Sequence, residues 1–308
     1  MTHIPKQDMF LPDDMQIQLF DQTTAPRFVR PFSTQLLKWI GNKQRFGHEI
    51  VSYFPERFNR YFEPFIGSGA VLATLSPKRG MGSDNFPPLI EIWQTLHDQP
   101  AILKRWYSER YEQFAGAADK ISGYETIKAS YNRNPNGPDL LFLCRSCYGG
   151  VVRFRQTDGY MSTPCGIHDP ISPESFSRRV DEWHHRTAGT IFKLLPYQEA
   201  MELAEHGDLI YCDPPYSHSQ NILYGAQSFD LEHLFDEISK CKRRGVAVAL
   251  SIDGTKKSGA KLCELPIPKS LFKREVFVNC GRSMLRRFQM NGQSLEQELV
   301  SDRLLLTY

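Results

Sequence analysis

The stretch Asp213-Pro214-Pro215-Tyr216 carries the residue types best suited to take part in a reaction, and it directly follows an apolar run at 209–212. The Asp213 carboxylate and the Pro214 carbonyl can both accept hydrogen bonds from an exocyclic amine such as that of adenine. These bonds draw the nitrogen toward tetrahedral geometry, so that its lone pair can face an electrophile. The prolines restrict the direction of the carbonyl, and Tyr216 can stack on the ring. Taken alone, the stretch equally suits a proline turn with a capping aspartate.

A glycine loop at 65–69, "FIGSG", is the second stretch whose residue types suggest a functional role. Gly67 and Gly69 allow the backbone to turn sharply and to approach a ligand closely. A dinucleotide fingerprint needs a third glycine near position 72, where Leu72 stands, and no Walker lysine follows, so NAD is disfavoured. Asp84 ends the next strand-like segment, where its carboxylate can accept hydrogen bonds from ribose hydroxyls. Together with the proline stretch, this loop favours nucleoside binding.

Cys144 and Cys147 invite a zinc interpretation, with Cys165 and His168 as the remaining ligands of a four-coordinate site. The first pair falls on a predicted helix, and the chain lacks a second close cysteine pair. We therefore predict packed thiols and no metal site.

The elements around these residues alternate between strand and helix. The pattern predicts a strand, tight loop and helix over 59–77, a strand over 79–85 and a helix from Pro87. Residues 99–188 instead hold mostly helical patterns around one hairpin, "VVRFRQTDGYMS", whose Asp158-Gly159 suits a tight turn. The alternation resumes afterwards with a helix over 230–244, capped by Asp230, a buried strand at 246–253 and a last strand at 301–308.

This order predicts an α/β fold with a doubly wound, Rossmann-like parallel sheet interrupted by a mostly helical insert. We expect an N-terminal extension at 1–30, a first part of the sheet domain at 31–98, the insert at 99–188 and the second part at 189–308. Ligands of such sheets bind beyond the carboxyl ends of the strands, where the glycine loop at 65–69 and the stretch 213–216 both fall.

Composition narrows the classes of protein. The 308 residues, 41% of them hydrophobic, suffice for a substantial core, and no apolar run reaches the roughly 18 residues of a membrane helix. The polar start and seven scattered cysteines predict a cytoplasmic protein with reduced thiols. The net charge is only +2, but the basic segment, residues 240–274, holds ten lysines and arginines against two acidic residues. This segment is a candidate surface for a polyanion.

Several motifs, in the same order, resemble those of the Dam-type DNA adenine-N6 methyltransferases, from about Leu36 to Tyr308. They are "LLKWIGNKQRF", "YFEPFIGSGAV", "GSDNFPPLI", "FLCRSCYGGVVRFRQTDGYMSTPCG" and "LIYCDPPY". In this family the cofactor motif comes first, and the target-recognition region precedes the catalytic motif. The resemblance implies a methyltransferase sheet, S-adenosylmethionine as the methyl donor and double-stranded DNA as the substrate, with an adenine flipped out of the duplex.

Carried over by position, the resemblance assigns residues to three roles. Lys43 would neutralise the methionine carboxylate of the cofactor and Asp84 would hold its ribose. The catalytic residues would be Asp213, Pro214, Pro215 and Tyr216, and the cofactor-binding residues Trp39, Lys43, Phe65, Gly67, Gly69, Asp84 and Asp213. The DNA-binding residues would be Arg145, Arg153 and Arg155, in and around the hairpin.

The chain also departs from the family pattern. Phe86 stands where an asparagine is usual after the ribose acid, and Tyr148-Gly149-Gly150 replaces an Asn-Gly pair in the DNA-proximal segment. Two alternative functions stay open at this point: an RNA adenine-N6 methyltransferase and a DNA-binding regulator on a retired enzyme scaffold. The recognition sequence, the oligomeric state and a companion restriction enzyme are likewise left open.

Overall fold

A single mixed sheet forms the centre of the molecule. The computed structural model describes residues 26–155, 157–215, 229–256, 261–262, 266–282 and 299–308. Tyr216 and residues 1–25 of the predicted extension lie outside the described residues. The strands are β1 (Tyr61–Glu63), β2 (Gly80–Asp84), β3 (Thr190–Leu194), β4 (Leu209–Cys212), β5 (Ala247–Lys256), β6 (Lys261–Leu262), β7 (Arg274–Arg282) and β8 (Leu299–Leu306).

The strand order is β3-β2-β1-β4-β5-β8-β7, and β6 pairs with β5. The first five strands of this path run parallel, whereas β8 is antiparallel to both β5 and β7. Chain order reverses between β1 and β4, which pair with Tyr61 opposite Leu209. Such a reversal opens a crevice at the carboxyl ends of the two strands. The predicted doubly wound sheet is confirmed.

Helices cover both faces of the sheet. They are α1 (Gly47–Ser52), α2 (Ala70–Leu75), α3 (Pro87–Asp98), α4 (Pro100–Ala115), α5 (Lys120–Arg133), α6 (Gly137–Ser146), α7 (Pro173–Thr187), α8 (Tyr197–Glu202) and α9 (Leu231–Arg243). Because neighbouring strand residues point to opposite faces, Tyr61 and Tyr211 pack with α1 to α7, whereas Phe62 and Ile210 pack with α8 and α9. In the part of the chain that the structure describes, no helix is long and apolar enough to cross a bilayer.

The helix α9 forms where the apolar spacing predicts it. Asp230 caps its first turn by accepting a hydrogen bond from the Glu232 backbone nitrogen at 2.8 Å. Gly245 follows the helix with φ +75°, a left-handed conformation that favours glycine at this position. Both predicted helix signals are confirmed.

Residues 99–188 are mostly helical, as the pattern predicts. Phe154 and Met161 form a short antiparallel bridge, and Gly159 turns the chain between them with φ +69°. The predicted hairpin is therefore present in a short form. The limits of the insert stay a prediction, because Trp183 of α7 packs on Trp93 of α3 with ring centroids 5.5 Å apart, in one continuous core.

Candidate active site

A cavity of about 500 Å³ lies at the carboxyl ends of β1, β2 and β4. Its lining includes seven of the residues predicted from the sequence: Trp39, Lys43, Phe65, Gly67, Asp84, Asp213 and Pro215. Gly69 and Pro214 lie next to lining residues in the chain but do not line the cavity themselves. The strand order explains this convergence, because β1 pairs with β2 on one side and with β4 on the other.

The glycine loop between β1 and α2 forms one wall of this cavity. Gly67 has φ +44°, and a Cβ atom on it would lie 3.2 Å from Cδ1 of Trp39. Gly69, with φ +63°, precedes α2, and its Cβ would lie 3.0 Å from the ring of Trp93. Gly67 thus keeps side-chain atoms out of the cavity wall beside Trp39, whereas Gly69 allows the loop to pack on the core.

Asp84 connects the end of β2 to the glycine loop. Its carboxylate accepts hydrogen bonds from the backbone nitrogen of Phe86 at 3.2 Å and from that of Gly67 at 3.5 Å. Burial raises the pKa of Asp84 to about 6, and the backbone donors oppose this rise. The carboxylate is therefore held in place at the mouth of the loop, where it can accept hydrogen bonds from hydroxyl groups of a ligand.

Lys43 lies between two carboxylates. Its Nζ is 2.9 Å from Oδ1 of Asp213 and 3.3 Å from Oδ2 of Asp302, and the residue is only 4% exposed. Burial by itself lowers the pKa of an amine, but the charges of Asp213 and Asp302 outweigh it and hold the pKa of Lys43 well above its ordinary value. Lys43 is therefore a fixed positive charge at the back of the cavity.

Two acidic residues of this region were missed by the sequence analysis. Asp302 comes from the last strand, and only the sheet pairing of β5 with β8 brings it to Lys43. Glu63 ends β1 and lines the cavity, and its Oε2 accepts a hydrogen bond from the Tyr61 hydroxyl at 2.7 Å. Burial raises the pKa of Glu63 to about 8. The position of Glu63 at the carboxyl end of an apolar strand was the sequence signal for it.

Two aromatic groups flank the cavity. On one side, Phe65 stacks on Tyr197 at 5.1 Å between ring centroids and meets Phe229 edge-on at 5.9 Å. On the other side, Phe86 packs edge-on against Phe154 of the hairpin at 5.6 Å. Such planar walls suit a flat, uncharged ring system. Tyr197, Phe229 and Phe154 were not singled out from the sequence, because aromatic residues are common in cores and carry no spacing signal.

The predicted DNA-binding arginines occupy different environments. Arg155 is exposed, bound to Asp158 at 2.6 and 3.1 Å and placed over the Tyr160 ring. Arg153 is half-buried beside the cavity residue Phe154. Arg145 differs, since it is only 4% exposed and its Nη1 donates to the backbone carbonyls of residues 35 and 36. These hydrogen bonds from α6 suit a role of Arg145 in holding the segment before α1 better than a direct contact with the edge of a DNA base.

The basic segment at 240–274 does not face the cavity along its first part. Lys240, Lys242 and Arg243 end α9, which leads into the amino end of β5, whereas the cavity lies at the carboxyl ends. Lys242 donates to the backbone carbonyls of residues 270 and 271, both at 2.7 Å. These residues therefore lie at the end of the sheet opposite the cavity, because the connection from α9 to β5 returns the chain to that end. Binding of a polyanion by the basic segment stays a prediction.

The cysteines near the hairpin are packed in the protein interior. Cys144 and Cys147 are buried, and Cys165 is partly buried. Burial raises the pKa of the Cys144 thiol to about 11 and that of Cys147 further. Within the described ranges, no group of three or more His, Cys, Asp or Glu residues could hold a metal ion.

Comparison with known proteins assigns the family. The model of the D12 class N6 adenine-specific DNA methyltransferases matches residues 39–273. The DNA adenine methylase of Haemophilus influenzae is 26% identical over 265 residues, covering 79% of this chain and 87% of that protein. The Type II methyltransferase M1.LlaDCHI of Lactococcus lactis subsp. cremoris is 26% identical over 245 residues, 72% of this chain and 81% of that protein.

A third relative is much longer than this chain. The DNA N-6-adenine-methyltransferase of Escherichia phage P1 is 25% identical over 250 residues, covering 75% of this chain but 32% of the phage protein. The family match includes the glycine loop, Lys43 and Asp213, which the fold brings to one cavity. The chain therefore belongs to the D12 class of N6 adenine-specific DNA methyltransferases, and the resemblance seen in its sequence motifs is confirmed.

Proposed function

We propose that this enzyme transfers a methyl group from S-adenosylmethionine to the N6 amino group of an adenine that has rotated out of double-stranded DNA. The observation that carries the proposal is the position of Asp213. Its carboxylate lines the same cavity as the glycine loop and is held by the buried ammonium of Lys43 at 2.9 Å. An oriented acceptor next to a nucleoside-sized cavity suits the alignment of an amine with a methyl donor.

The cavity fits the proposed methyl donor in shape and in chemistry. Any side chain at Gly67 would fill the space beside Trp39, and the Asp84 carboxylate ends β2 at the same wall. Asp84 would hold the ribose hydroxyls, and the aromatic rings of Phe65 and Phe86 would contact the nucleoside. S-adenosylmethionine supplies an electrophilic methyl group when bound. Because a sulfonium donor needs no metal ion, the residues only have to bind and align it.

The roles of Asp213 and Lys43 follow from their pairing. Asp213 would accept one hydrogen bond from the adenine N6 amino group, and the carbonyl of Pro214 would accept the other. Lys43 pairs with the Asp213 carboxylate and fixes its orientation. Asp213 and Asp302 would compete with the carboxylate of the methyl donor for the same ammonium. Tyr216 would stack on the adenine. The proton that the nitrogen loses after methylation would leave through the hydrogen bond to Asp213.

The hairpin at 151–162 is the proposed contact with DNA, within a target-recognition region at 99–188. Arg153 and Arg155 flank Phe154, which lines the cavity, so a strand read by the hairpin would pass close to the reacting base. The ion pair with Asp158 restricts the Arg155 guanidinium before DNA binds. For Arg145 we propose a supporting role, since its Nη1 already serves two backbone carbonyls.

Transfer of tritium from labelled S-adenosylmethionine tests the proposal directly. Label should appear in double-stranded DNA, as N6-methyladenine, and not in RNA of the same sequence. Label in RNA alone, or in neither polymer, would contradict it. Sequencing of methylated bases in DNA from a methylation-free host that expresses the chain would then identify the target sequence.

The cellular setting can be tested with the same target sequence. DNA as substrate and free thiols such as Cys212 fit a reaction in the cytoplasm. One relative is named a Type II methyltransferase, so DNA methylated by this chain should also be challenged with any restriction enzyme that is encoded beside it. Protection from cleavage would identify that enzyme as a partner in restriction and modification.

A further inference from the structure

Two cysteines face each other across a short antiparallel bridge at the base of the hairpin. Cys147 follows α6, Cys165 follows the hairpin, and these two residues are the paired members of the bridge. The two backbones are in close contact here, because a Cβ atom on Gly166 would lie 2.7 Å from the carbonyl oxygen of Ser146 and 3.0 Å from that of Cys147. The absence of a side chain at Gly166 therefore allows the two segments to bring their cysteines together.

The hydrogen bonds around this bridge identify the kind of residue pair. The N–H of Tyr148 donates to the carbonyl of Pro164 at 2.9 Å. On the other side of the cysteines, the N–H of Gly166 donates to the carbonyl of Ser146 at 2.8 Å. The cysteines thus form a non-hydrogen-bonded pair, a type in which the side chains approach closely and the Cα atoms lie about 4.5 Å apart. Because a disulfide needs Cα atoms about 4.4–6.8 Å apart, the backbone already suits a bond between the two sulfurs.

The two thiols differ in their access to solvent. Cys165 is partly buried, whereas Cys147 is only 4% exposed and lines a second cavity, of about 240 Å³. Burial raises the pKa of the Cys165 thiol, and the charge of Lys120 opposes this rise. A small oxidant in solution therefore meets Cys165 first, with Cys147 next to it as the second thiol.

Cys144 is the other thiol near Cys147, three residues earlier in the chain. It lies within α6, is buried, and its thiol donates to the carbonyl of Leu141 at 3.3 Å. Reactive thiols are favoured at the N-terminus of a helix, whose dipole stabilises a thiolate. Cys144 and Cys147 instead lie at the C-terminal end of α6, where the dipole has the opposite effect. The geometry thus favours Cys165 over Cys144 as the partner of Cys147.

We propose that Cys147 and Cys165 form a reversible disulfide when the protein meets hydrogen peroxide, so that the pair is a site of oxidative modification. The sulfur of Cys165 attacks one peroxide oxygen, the O–O bond breaks, and the departing oxygen takes the thiol proton and leaves as water. The product is a sulfenic acid. The sulfur of Cys147 then attacks the sulfur of Cys165, the S–O bond breaks, and the hydroxyl group leaves with the second thiol proton as water. Both thiols are oxidised to one disulfide, and the peroxide is reduced to water.

The bond would close residues 147–165 into a covalent loop that contains the hairpin. Phe154 of this loop lines the active-site cavity, so the cross-link would restrain one wall of that cavity from behind. A cross-link that fits the native backbone restricts the unfolded chain and so stabilises the folded one. Disulfides of reducing compartments are usually transient and redox-sensing, in keeping with a cytoplasmic protein. The inference concerns thiol chemistry alone and does not depend on the proposed methyl transfer.

Peptide mapping after mild oxidation tests the site. The full chain is treated with hydrogen peroxide, its remaining thiols are alkylated under denaturing conditions, and tryptic peptides are compared with and without a reductant. Trypsin cuts after Arg145, Arg153 and Arg155, so that Cys144, Cys147 and Cys165 fall in three different peptides. The peptides of Cys147 and Cys165 should be recovered as one linked species, and the reductant should release them. Thermal denaturation of the oxidised protein should shift upward by a few degrees.

Single cysteine variants provide the controls. Cys144→Ala should form the link as the parent protein does. Cys165→Ala should leave Cys147 reduced, whereas Cys147→Ala should allow Cys165 to oxidise further, to a sulfinic acid, because no second thiol resolves the sulfenic acid. The buried thiols of Cys212 and Cys241, in β4 and α9, should stay reduced in every sample.

Three results would overturn the proposal. One is a link between Cys144 and Cys147 in the parent protein. Another is sulfinic acid at Cys165 of the parent without any link to Cys147. The third is a downward shift of thermal denaturation in the linked protein, because a bond that fits the native backbone does not destabilise it.

Discussion

The buried ammonium of Lys43 and the partly buried carboxylate of Asp213 form an ion pair of 2.9 Å that joins the segment before α1 to the end of β4. Asp302 of β8 lies 3.3 Å from the same ammonium. In the sheet, β8 is separated from β4 by β5. One cation thus connects three segments that are distant in the chain. Because Asp213 also lines the active-site cavity, the pair links stability of the sheet to the orientation of the carboxylate that we propose as catalytic.

Replacement of Asp213 should separate chemistry from binding. Asp213→Asn keeps the size of the side chain but loses the charged acceptor, so single-turnover methylation should fall by about 10²- to 10³-fold, as for loss of one oriented group. Duplex binding, measured by fluorescence anisotropy, should largely persist. Methylation near the parent rate would mean that the segment 213–216 is only a proline turn.

Lys43 and Asp302 should differ in their effects on stability. Lys43→Met leaves the buried Asp302 and the partly buried Asp213 without a cation and should cost about 3–5 kcal/mol of unfolding free energy, as for other broken buried pairs. Asp302→Asn leaves the Lys43–Asp213 pair intact and should cost less, with methylation mostly retained. Urea denaturation of both variants measures the difference. Equal losses would show that Asp302, and not Asp213, is the main partner of Lys43.

Cofactor binding should require the absence of a side chain at Gly67, and not only its backbone conformation. Gly67→Ala places a methyl group 3.2 Å from Trp39 and should weaken S-adenosylmethionine binding by about tenfold or more, which is about 1.4 kcal/mol. Gly159→Ala is the matched control, because Gly159 has a similar positive φ of +69° but no atom within 4 Å of the added methyl group. Calorimetry should show normal cofactor affinity for the control. Similar losses in both variants would leave backbone strain as the cause.

Glu63 should make stability fall as pH rises. Its pKa is about 8 in the folded protein and about 4.3 in an unfolded chain, so its stabilising contribution is full below about pH 4.3 and is lost as pH rises through 8. Glu63→Gln cannot ionise and should remove a decline of up to about 1.4 kcal/mol per pH unit between pH 5 and 8. Chemical denaturation across this range measures the slope, with the exposed Glu56→Gln as control. An unchanged slope in Glu63→Gln would contradict the assigned burial effect.

The contact between Phe86 and Phe154 should couple the cofactor wall to the hairpin. Phe86→Asn and Phe154→Leu should each weaken S-adenosylmethionine binding, and the double variant should lose less than the sum, with a coupling of about 0.5–1.5 kcal/mol. Phe86→Asn paired with Phe277→Leu, an exposed residue of the edge strand β7, should instead be additive. Additivity in both pairs would show that the ring contact does not couple the two regions.

Local sequence patterns were sufficient to predict the main helices and strands and to identify the glycine loop and the stretch 213–216 as candidate functional segments. The apolar spacing and the caps of α9 predict the helix, Asp213 stands directly after the apolar strand β4, and Gly67 lies in the loop that follows β1. These predictions hold because capping, left-handed turns and strand alternation depend on residues close in the chain. The common location of Gly67, Asp84 and Asp213 follows from the parallel sheet, whose carboxyl ends lie at one edge.

Other features depended on contacts between distant segments. The sequence identifies Arg145 and the residues of the basic segment as positively charged. Only tertiary packing determines that Arg145 is buried and that the end of α9 lies at the end of the sheet opposite the cavity. Asp302 reaches Lys43 because β8 is inserted antiparallel beside β5, a pairing that no local pattern specifies. Residue type and spacing thus determined which groups could do chemistry, whereas tertiary packing decided their burial, partners and charge, because these depend on neighbours brought from elsewhere in the chain.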